Sequence, residues 1–406
     1  MFVKKVIFEG HILDSLTLSK ILDSILAKGG HYELVELKVG HSPEDMSSAR
    51  ICVSADTMAH MEKIMEELTV QGGRVPEERD AGLSESPADG VFPDGFYATT
   101  NLETYVRVNG HDVRVEGEAM DLGIAISPDR KRAFTVGMND VEKGQTFVVG
   151  NEGITLVPPV RASNAGSEDA FAFMKSEVSV EKPRRKALEE MAMSLRESHK
   201  KGEKNLLVLG PAVVHSGASN MVARLIKEGV FDLIFAGNAL AAHDIEKELY
   251  GTSLGISLKD GKSVHMGHQH HLRTINTIRS VGGISRAVDK GLLKGGIMHA
   301  LYTSGVDYFL AGSIRDDGPL PEVCTDTMES KRRMRSMLEG VGTAVMVATA
   351  LHSIATGNML KGSVRTFCVD INPEAVTKLM DRGSLQTTPL VMDCESFFHE
   401  LSELLL

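Results

Sequence analysis

The stretch Leu233-Ile234-Phe235-Ala236-Gly237-Asn238-Ala239-Leu240-Ala241-Ala242-His243-Asp244-Ile245-Glu246 decides how the rest of the chain is read. Asp232 to Ala236 is a short apolar run with the length and bulk of a fully buried strand. Gly237-Asn238 breaks it, and Asn238 is placed to cap a helix from about Ala239 to Leu249. The first N–H groups of such a helix have no partner inside it, and its dipole favours an anion. The turn therefore suits a phosphate or a nucleotide edge. It equally suits an ordinary strand–turn–helix in which Asn238 only caps.

Working outward, apolar runs and helical spacings alternate on both sides of this stretch. The strand candidates are Leu206 to Leu209, Leu233 to Ala236, Tyr308 to Ala311, Ala344 to Thr349, Thr366 to Val369 and Pro389 to Met392. Helical patterns intervene at Met221 to Lys227, Ile284 to Lys290, Met328 to Leu338 and Ala375 to Met380. Unpatterned apolar strands alternating with helices imply an α/β fold, a doubly wound and mostly parallel sheet. Ligands bind such sheets outside the carboxyl ends of the strands. Those ends carry Gly210-Pro211-Ala212, Gly237-Asn238-Ala239, Gly312 to Gly318, Thr349 to Ser353, Asp370 to Pro373 and Asp393-Cys394. Small residues there admit a flat ligand, and Asp370 and Asp393 can accept from ribose hydroxyls or cap the following helices. The Gly-rich dinucleotide fingerprint is missing, because Gly340-Val341-Gly342 precedes a strand instead of following one.

The amino-terminal part reads differently. Val3 to Phe8, Tyr32 to Val39, Arg50 to Val53 and Gly73 to Val75 are strand-like, with helices at Leu18 to Ala27 and Met58 to Leu68. That order is the split βαβ, ferredoxin-like arrangement. Ala81 to Gly95 is rich in Pro, Gly, Asp and Ser and reads as a linker. Six short β-prone runs follow up to Val157, separated by turns such as Asn109-Gly110 and Lys143-Gly144, and imply a small barrel or sandwich. Arg161 to Ser167 is a second polar linker, and Pro183 stands where a helix would start. Three domains are expected: 1–85 ferredoxin-like, 90–162 all-β and 168–406 α/β.

With 406 residues, a division into two or three cores is expected. Hydrophobic residues at 42% and charged residues at 24% are ordinary for a globular protein. Lys plus Arg at 44 against Asp plus Glu at 55 leaves −11, which argues against nucleic acid as a partner. Cys52, Cys324, Cys368 and Cys394 form no CxxC pair and no disulfide frame. No apolar run approaches a membrane span and no signal segment opens the chain, so a cytoplasmic protein is expected. His265, His268, His270 and His271 crowd one loop. His268-x-His270 lacks a nearby Cys, Asp or Glu to complete a metal set, so no metal is expected.

Two longer stretches carry a resemblance. Asn238-Ala239-Leu240-Ala241-Ala242-His243-Asp244-Ile245-Glu246 and Ala311-Gly312-Ser313-Ile314-Arg315-Asp316-Asp317-Gly318-Pro319-Leu320-Pro321 resemble signatures of the archaeal-type ornithine cyclodeaminases. That family also forms the carboxyl-terminal half of bifunctional arginine dihydrolase/ornithine cyclodeaminases of cyanobacteria. Gly267 to Leu272, Leu351 to Leu360 and Cys368 to Pro373 are similar to further family blocks. Gly10 to Ser15 resembles the lysine-oxoglutarate reductase/saccharopine dehydrogenase region. The resemblance implies a Rossmann-like last domain of the deoxyhypusine-synthase type, with NAD as cofactor.

It further implies that NAD contacts Asn238, Ala239, the Asp316-Asp317 pair, Thr349, Ala350, Leu351, His352, Asp370, Asp393 and Cys394. The implied reaction turns ornithine into proline and ammonia, with NAD+ first taking a hydride and then returning it. No arginine dihydrolase segment precedes, so ornithine and not arginine is the expected substrate. Arg315 or Arg273 is expected to pair with the substrate carboxylate, and Asp316 or Asp317 to hold the cationic amine. His270 or His271 is expected to move protons. A homo-oligomer is the expected assembly. The competing readings are an NAD-linked amino-acid dehydrogenase, a non-catalytic NAD or amino-acid sensor, and a deoxyhypusine-synthase-like transferase. The transferase is disfavoured because Glu322 to Met328 holds no nucleophilic lysine.

Overall fold

Period-two burial builds the first sheet. β1 (Phe2–Gly10), α1 (Thr17–Ala27), β2 (His31–Lys38), β3 (Ser47–Ala55) and α2 (Met58–Val70) follow one another in the chain. The strands pair antiparallel in the order β1-β3-β2, with Val6 opposite Ile51 and Phe8 opposite Ala49. Buried residues alternate with more open ones along β3, and Ile51 and Val53 meet Ile21 and Ile25 of α1 and Met61, Ile64 and Leu68 of α2. This computed structural model describes residues 2–10, 17–39, 47–73, 79–157, 184–253, 256–257, 269–316, 318–382 and 387–406. The expected fourth strand starts at Gly73, which lies in no strand, and otherwise falls outside those residues. So do the second linker, Pro183, His265 and His268.

The next sheet has seven strands. They are β4 (Gly82–Glu85), β5 (Glu103–Val108), β6 (His111–Glu116), β7 (Gly123–Ile126), β8 (Ala133–Val136), β9 (Thr146–Val149) and β10 (Ile154–Val157). Their order is β10-β5-β6-β8-β7-β9-β4, with only β6 and β8 parallel. Along β7, Ile124 and Ile126 join one apolar cluster and Ala125 joins another, so both faces of the sheet are covered. The expected linker at Ala81 to Gly95 is corrected here. Residues 82–85 pair with β9, and Phe92 is buried, stacked on Phe96 with ring centroids 4.4 Å apart. Its turn residues punctuate an anchored segment. These two sheets form one compact unit, residues 1–172, joined by the distant segment Leu360–Ser363.

The second unit, residues 173–359 and 364–406, is the α/β part. It runs α3 (Arg184–Lys200), β11 (Lys204–Leu209), α4 (Ala212–His215), α5 (Ser219–Lys227), β12 (Leu233–Gly237), α6 (Asn238–Tyr250), β13 (Thr252–Ser253) and β14 (Ile256–Ser257). Then come α7 (His270–Val281), α8 (Ile284–Asp289), α9 (Gly296–Ser304), β15 (Asp307–Ala311), α10 (Thr327–Met337) and β16 (Val341–Val347). α11 (Ala350–Met359), β17 (Arg365–Asp370), α12 (Pro373–Arg382), β18 (Thr387–Val391) and α13 (Cys394–Leu405) complete it.

All six expected strands form, in the order β15-β12-β11-β16-β17-β18, and every pairing is parallel. Counted along the sheet's own strands this is 3-2-1-4-5-6, the doubly wound dinucleotide-binding order, whose direction reverses between β11 and β16. The central strands are almost wholly buried, as a sheet covered on both faces requires. β16 ends at Val347, so Thr349 lies beyond the strand and not in it. No helix among the described residues is long and apolar enough to cross a membrane.

Candidate functional site at the strand tips

Asn238 ties two strand ends together. The expected cap is corrected: Gly237 holds the cap position in extended conformation, and Asn238 is the first residue of α6. Its side chain, 3% exposed, reaches across to the loop after β15. Nδ2 donates to Asp316 Oδ1 at 3.3 Å, and Oδ1 accepts from the Leu320 N–H at 3.0 Å. Asp316 Oδ2 accepts from the Ser313 N–H at 2.7 Å, which folds the loop back on itself. The amide of Asn238 is thus spent on holding a loop and not on capping the first N–H groups of α6.

The crest of the sheet fits an extended, partly apolar ligand. Gly210, at the reversal point, has no room for a side chain, because a Cβ there would overlap the Ala348 carbonyl oxygen and come within 2.6 Å of its carbon. Ala348 itself sits at φ 54°, a left-handed conformation uncommon for a residue with a Cβ. Just beyond it Leu351 is 81% exposed, and Ile371, after β17, is 70% exposed. Apolar side chains this open beside a nucleotide-type turn offer contact to a flat ring. Nε2 of His352 is buried without a partner among the described residues, and burial pushes the imidazole down to about 4. Asp370 Oδ1 accepts from the Asn372 N–H at 2.9 Å. Asp393 caps α13, accepting from Ser396 at 2.9 Å, and these N–H groups hold its carboxyl below the usual range. Cys394 opens α13 and is buried, which pushes its thiol up to about 11. It is a packing thiol and not a thiolate.

Beside the α6 turn lies a cavity of about 660 Å³, the size of a small-molecule site. Asn238, Ala239, Arg315 and Asp316 line one part, and His215, His243 and His271 line another. Those imidazoles come from α4, α6 and α7, with ring centroids 4.9 Å apart for His215 and His243 and 4.8 Å for His243 and His271. Burial first, and repulsion from His243 second, hold His215 and His271 below the ordinary histidine range. His215 Nδ1 is bonded to Ser253 Oγ at 2.6 Å. His271 Nδ1 is buried with no partner among the described residues. Among the described lining residues, the three imidazoles are accompanied by the cation Arg315 and the anion Asp316.

Three acidic or basic side chains of α6 are buried, which is costly unless each is partnered. Asp244 accepts from the Met298 N–H at 2.8 Å and also from Ile297, capping α9 from a neighbouring helix. Burial pushes it up to about 6. His243 and Glu246 partner each other at 3.1 Å.

The expected residues are therefore not all in one place. Asn238, Ala239, Arg315, Asp316 and His271 meet at the cavity, and Thr349 to His352, Asp370, Asp393 and Cys394 continue along the strand tips. Asp317 lies outside the described residues. His270 is not part of the cavity wall. Its Nδ1 is bonded to Thr252 Oγ1 at 2.8 Å and its ring stacks on Tyr250 at 4.6 Å. Arg273 is exposed on α7 and is likewise not in the wall. Sequence reading assigned no role to His215, His243 or Glu246. The usable signal was His243 and Glu246 three apart on the helix that leaves a strand tip.

His352 makes stability depend on pH. Its folded value of about 4 lies below the ordinary 6.5, so between these the folded chain holds fewer protons than the unfolded one. This stability is present above pH 6.5 and is lost as pH falls toward 4, by about 3 kcal/mol in all. Asp244 works in the opposite sense between 3.8 and about 6. The expected result is thus a difference: cofactor-free His352→Asn should lose less stability than the parent in denaturant titrations stepped from pH 7 to pH 4.5. Parallel curves would remove His352 from this account.

Comparison with known proteins bears on the same residues. The family profile described as "Arginine dihydrolase ArgZ-like, C-terminal, Rossmann fold" matches residues 189–401, and its "first region" matches 103–188. The "LOR/SDH bifunctional enzyme conserved region" matches 3–102. An ornithine cyclodeaminase of Methanopyrus kandleri is 47% identical over 392 residues, covering 97% of this chain and 94% of the relative. The chain belongs to the ornithine cyclodeaminase family. Cyclodeaminase relatives also include solved structures. Apo ArgZ, an arginine dihydrolase from the cyanobacterial ornithine-ammonia cycle, is 34% identical with a TM-score of 0.85, covering all of this chain and 58% of that one. The cyanobacterial-type AgrE in ternary complex with ornithine and NAD+ is 36% identical with a TM-score of 0.53, with the same coverage of 100% and 58%. The cyclodeaminase resemblance read from the two long motifs is borne out, as is the α/β fold with a Rossmann domain.

Proposed function

We propose that this chain converts ornithine to proline with release of ammonia, and that it binds NAD+ along the strand tips to do so. The carrying observation is the cavity wall, where, among the described residues, one guanidinium, one carboxylate and three imidazoles stand beside the Asn238 turn. Its support from relatives is the full-length similarity to ornithine cyclodeaminases and to AgrE, a protein solved with ornithine and NAD+. When bound, NAD+ supplies a reversible hydride acceptor, so that the α-carbon is oxidised and the ring later reduced with no net redox change. Asn238, Ala239, Asp316, Thr349 to His352, Asp370, Asp393 and Cys394 would hold it.

The side chains of the cavity supply the rest. Arg315 pairs with the substrate carboxylate, and Asp316 holds an ammonium with the lone pairs left over from Ser313 and Asn238. Asp317, its neighbour in sequence, is kept as a second candidate for that role. His271 takes the place among proton-handling groups that His270, bonded to Thr252 behind the wall, does not. Holding both ends of one diamino acid brings its δ-amine to its own α-carbon, and the ring closes with the advantage of an intramolecular reaction. We assign the work to a cytoplasmic homo-oligomer of three-domain chains, with the first boundary moved ahead of Gly82, which pairs with β9, and the second near 162–168. The exposed edge strand β2, which carries Tyr32, Leu34, Val35 and Leu37 in the open, supports self-association.

The test is incubation of the full chain with NAD+ and ornithine. Proline and ammonia in equal amounts, without accumulating NADH, are expected. Accumulating NADH would point to an amino-acid dehydrogenase, and binding without any product to a sensor.

A further inference from the structure

Of the three imidazoles that line the cavity among the described residues, His243 is the one with a carboxylate hydrogen-bonded behind it. Glu246 is fully buried, one turn along α6 from His243. Its Oε2 accepts from His243 Nδ1 at 3.1 Å, and its Oε1 accepts from the Thr252 hydroxyl at 2.9 Å. With that hydroxyl hydrogen committed to Glu246, Thr252 Oγ1 accepts from His270 Nδ1 at 2.8 Å. The bonds from His270 through Thr252 and from His243 therefore both end on the Glu246 carboxylate. A carboxylate only accepts, so Nδ1 of His243 carries the proton and Nε2 keeps its lone pair.

The same trio could suggest a metal. Donor atoms of His243, Glu246 and His271 lie within 4.8 Å of one another. A tetrahedral zinc with bonds of 2.0–2.1 Å needs donors only about 3.4 Å apart. Glu246 and the Nδ1 of His243 are already closed on each other as a hydrogen bond. That bond makes His243 and Glu246 a carboxylate–imidazole pair.

We propose that His243 takes the proton from the α-ammonium of the diamino acid, and that Glu246 is its positioning residue. This rests on the ornithine reaction proposed above. In the step an N–H bond of the ammonium breaks and an Nε2–H bond forms. The positive charge passes to the imidazolium, where the Glu246 carboxylate offsets it. The freed α-nitrogen lone pair then stabilises the cation that oxidation leaves at the α-carbon. The proton returns from Nε2 to the nitrogen that departs as ammonia, so none is consumed overall. Groups facing His243 are His215 from α4, His271 from α7, Glu246 on its own helix, and Arg315 and Asp316 from the loop after β15. His215 and His271, both held toward the neutral form, do not compete for charge at neutral pH.

The experiment uses the full chain with NAD+ and ornithine. His243→Asn is expected to lower kcat by about 100-fold or more while leaving KM within a few-fold, the loss typical of a removed general base. Glu246→Gln is expected to lower kcat by about 10-fold or more and to move the acid limb of the kcat/KM profile to lower pH, with partial rescue in Glu246→Asp. Nitrogen-15 spectra of the histidine rings, taken without cofactor, should show His243 as the Nδ1–H tautomer in the parent and a tautomer mixture in Glu246→Gln. Three results would each overturn the assignment: an unchanged kcat in His243→Asn, a Glu246→Gln variant that loses only melting temperature while its pH profile and ring spectra stay put, or activity abolished by a chelator and restored by zinc. A parent protein that makes no proline from ornithine defeats the underlying reaction instead, and the ring spectra still decide whether Glu246 fixes the imidazole.

Discussion

Gly210→Ala is expected to lose NAD+ binding together with about 3 kcal/mol or more of stability. The new Cβ would overlap the carbonyl of Ala348, come within 2.6 Å of its carbon and meet the Thr349 side chain at 3.0 Å. Neither backbone can yield easily, because β11 and β16 are paired side by side up to Leu209 and Val347 and both are buried. Overpacking in such a place costs about 1–3 kcal/mol or more, and backbone makes a harder neighbour than a flexible side chain. Ala348 already occupies a left-handed conformation, so the strain adds to an existing one. Gly237→Ala is the control. Its Cβ would approach only the Ala311 oxygen at 3.5 Å, an ordinary contact, and its φ of −107° suits any residue. Denaturant midpoints and calorimetric NAD+ titrations of both variants check this. Equal stability and equal affinity for the two would show that the reversal point is softer than its packing implies.

Asn238→Ala should reduce kcat/KM for ornithine by about 100-fold, since displacing positioning groups by even an ångström costs that much. The substitution removes both tethers, to Asp316 and to the Leu320 N–H. Leu320 is buried, so its N–H is left unsatisfied at a cost of about 1–3 kcal/mol. The loop carrying Arg315 and Asp316 is then free to move away from the cavity. Asn238→Asp separates the two tethers. It keeps an acceptor for Leu320 but sets a second carboxylate against Asp316 at the 3.3 Å now spanned by a hydrogen bond. Its loss should be comparable at neutral pH and smaller in acid. A kcat/KM for Asn238→Ala within about twofold of the parent would detach this residue from the chemistry.

Local pattern carried the fold a long way. Six apolar runs bounded by turns became the six strands of the parallel sheet, because a strand buried on both faces has no polar alternation to blur it. Composition failed at residues 81–95, where turn residues outnumber the anchors that hold them. Phe92, Phe96 and Tyr97 fix the segment, and nothing in a local window says what they pack on. The site was legible only as far as its elements are local. Asn238 was found, but its partners lie 78 and 82 positions away, so capping looked sufficient. The histidines were the sharper failure. Four of them crowd residues 265–271, yet of the two that the structure describes only His271 lines the cavity, which adds His215 and His243 from elsewhere. Proximity along a chain says little about proximity across a sheet.

The four residues Leu360–Ser363 belong with the amino-terminal unit although they lie between α11 and β17. There Leu360 is buried, Gly362 donates its N–H to the Asn101 carbonyl, and Lys361 stands 3.8 Å from Glu118. The polypeptide thus crosses from one unit to the other more than once, and no single cut separates them. A fragment begun near residue 173 would keep this tetrapeptide while discarding everything it packs on, so the dinucleotide-type half cannot be grafted or expressed as a cassette without first rebuilding that short stretch.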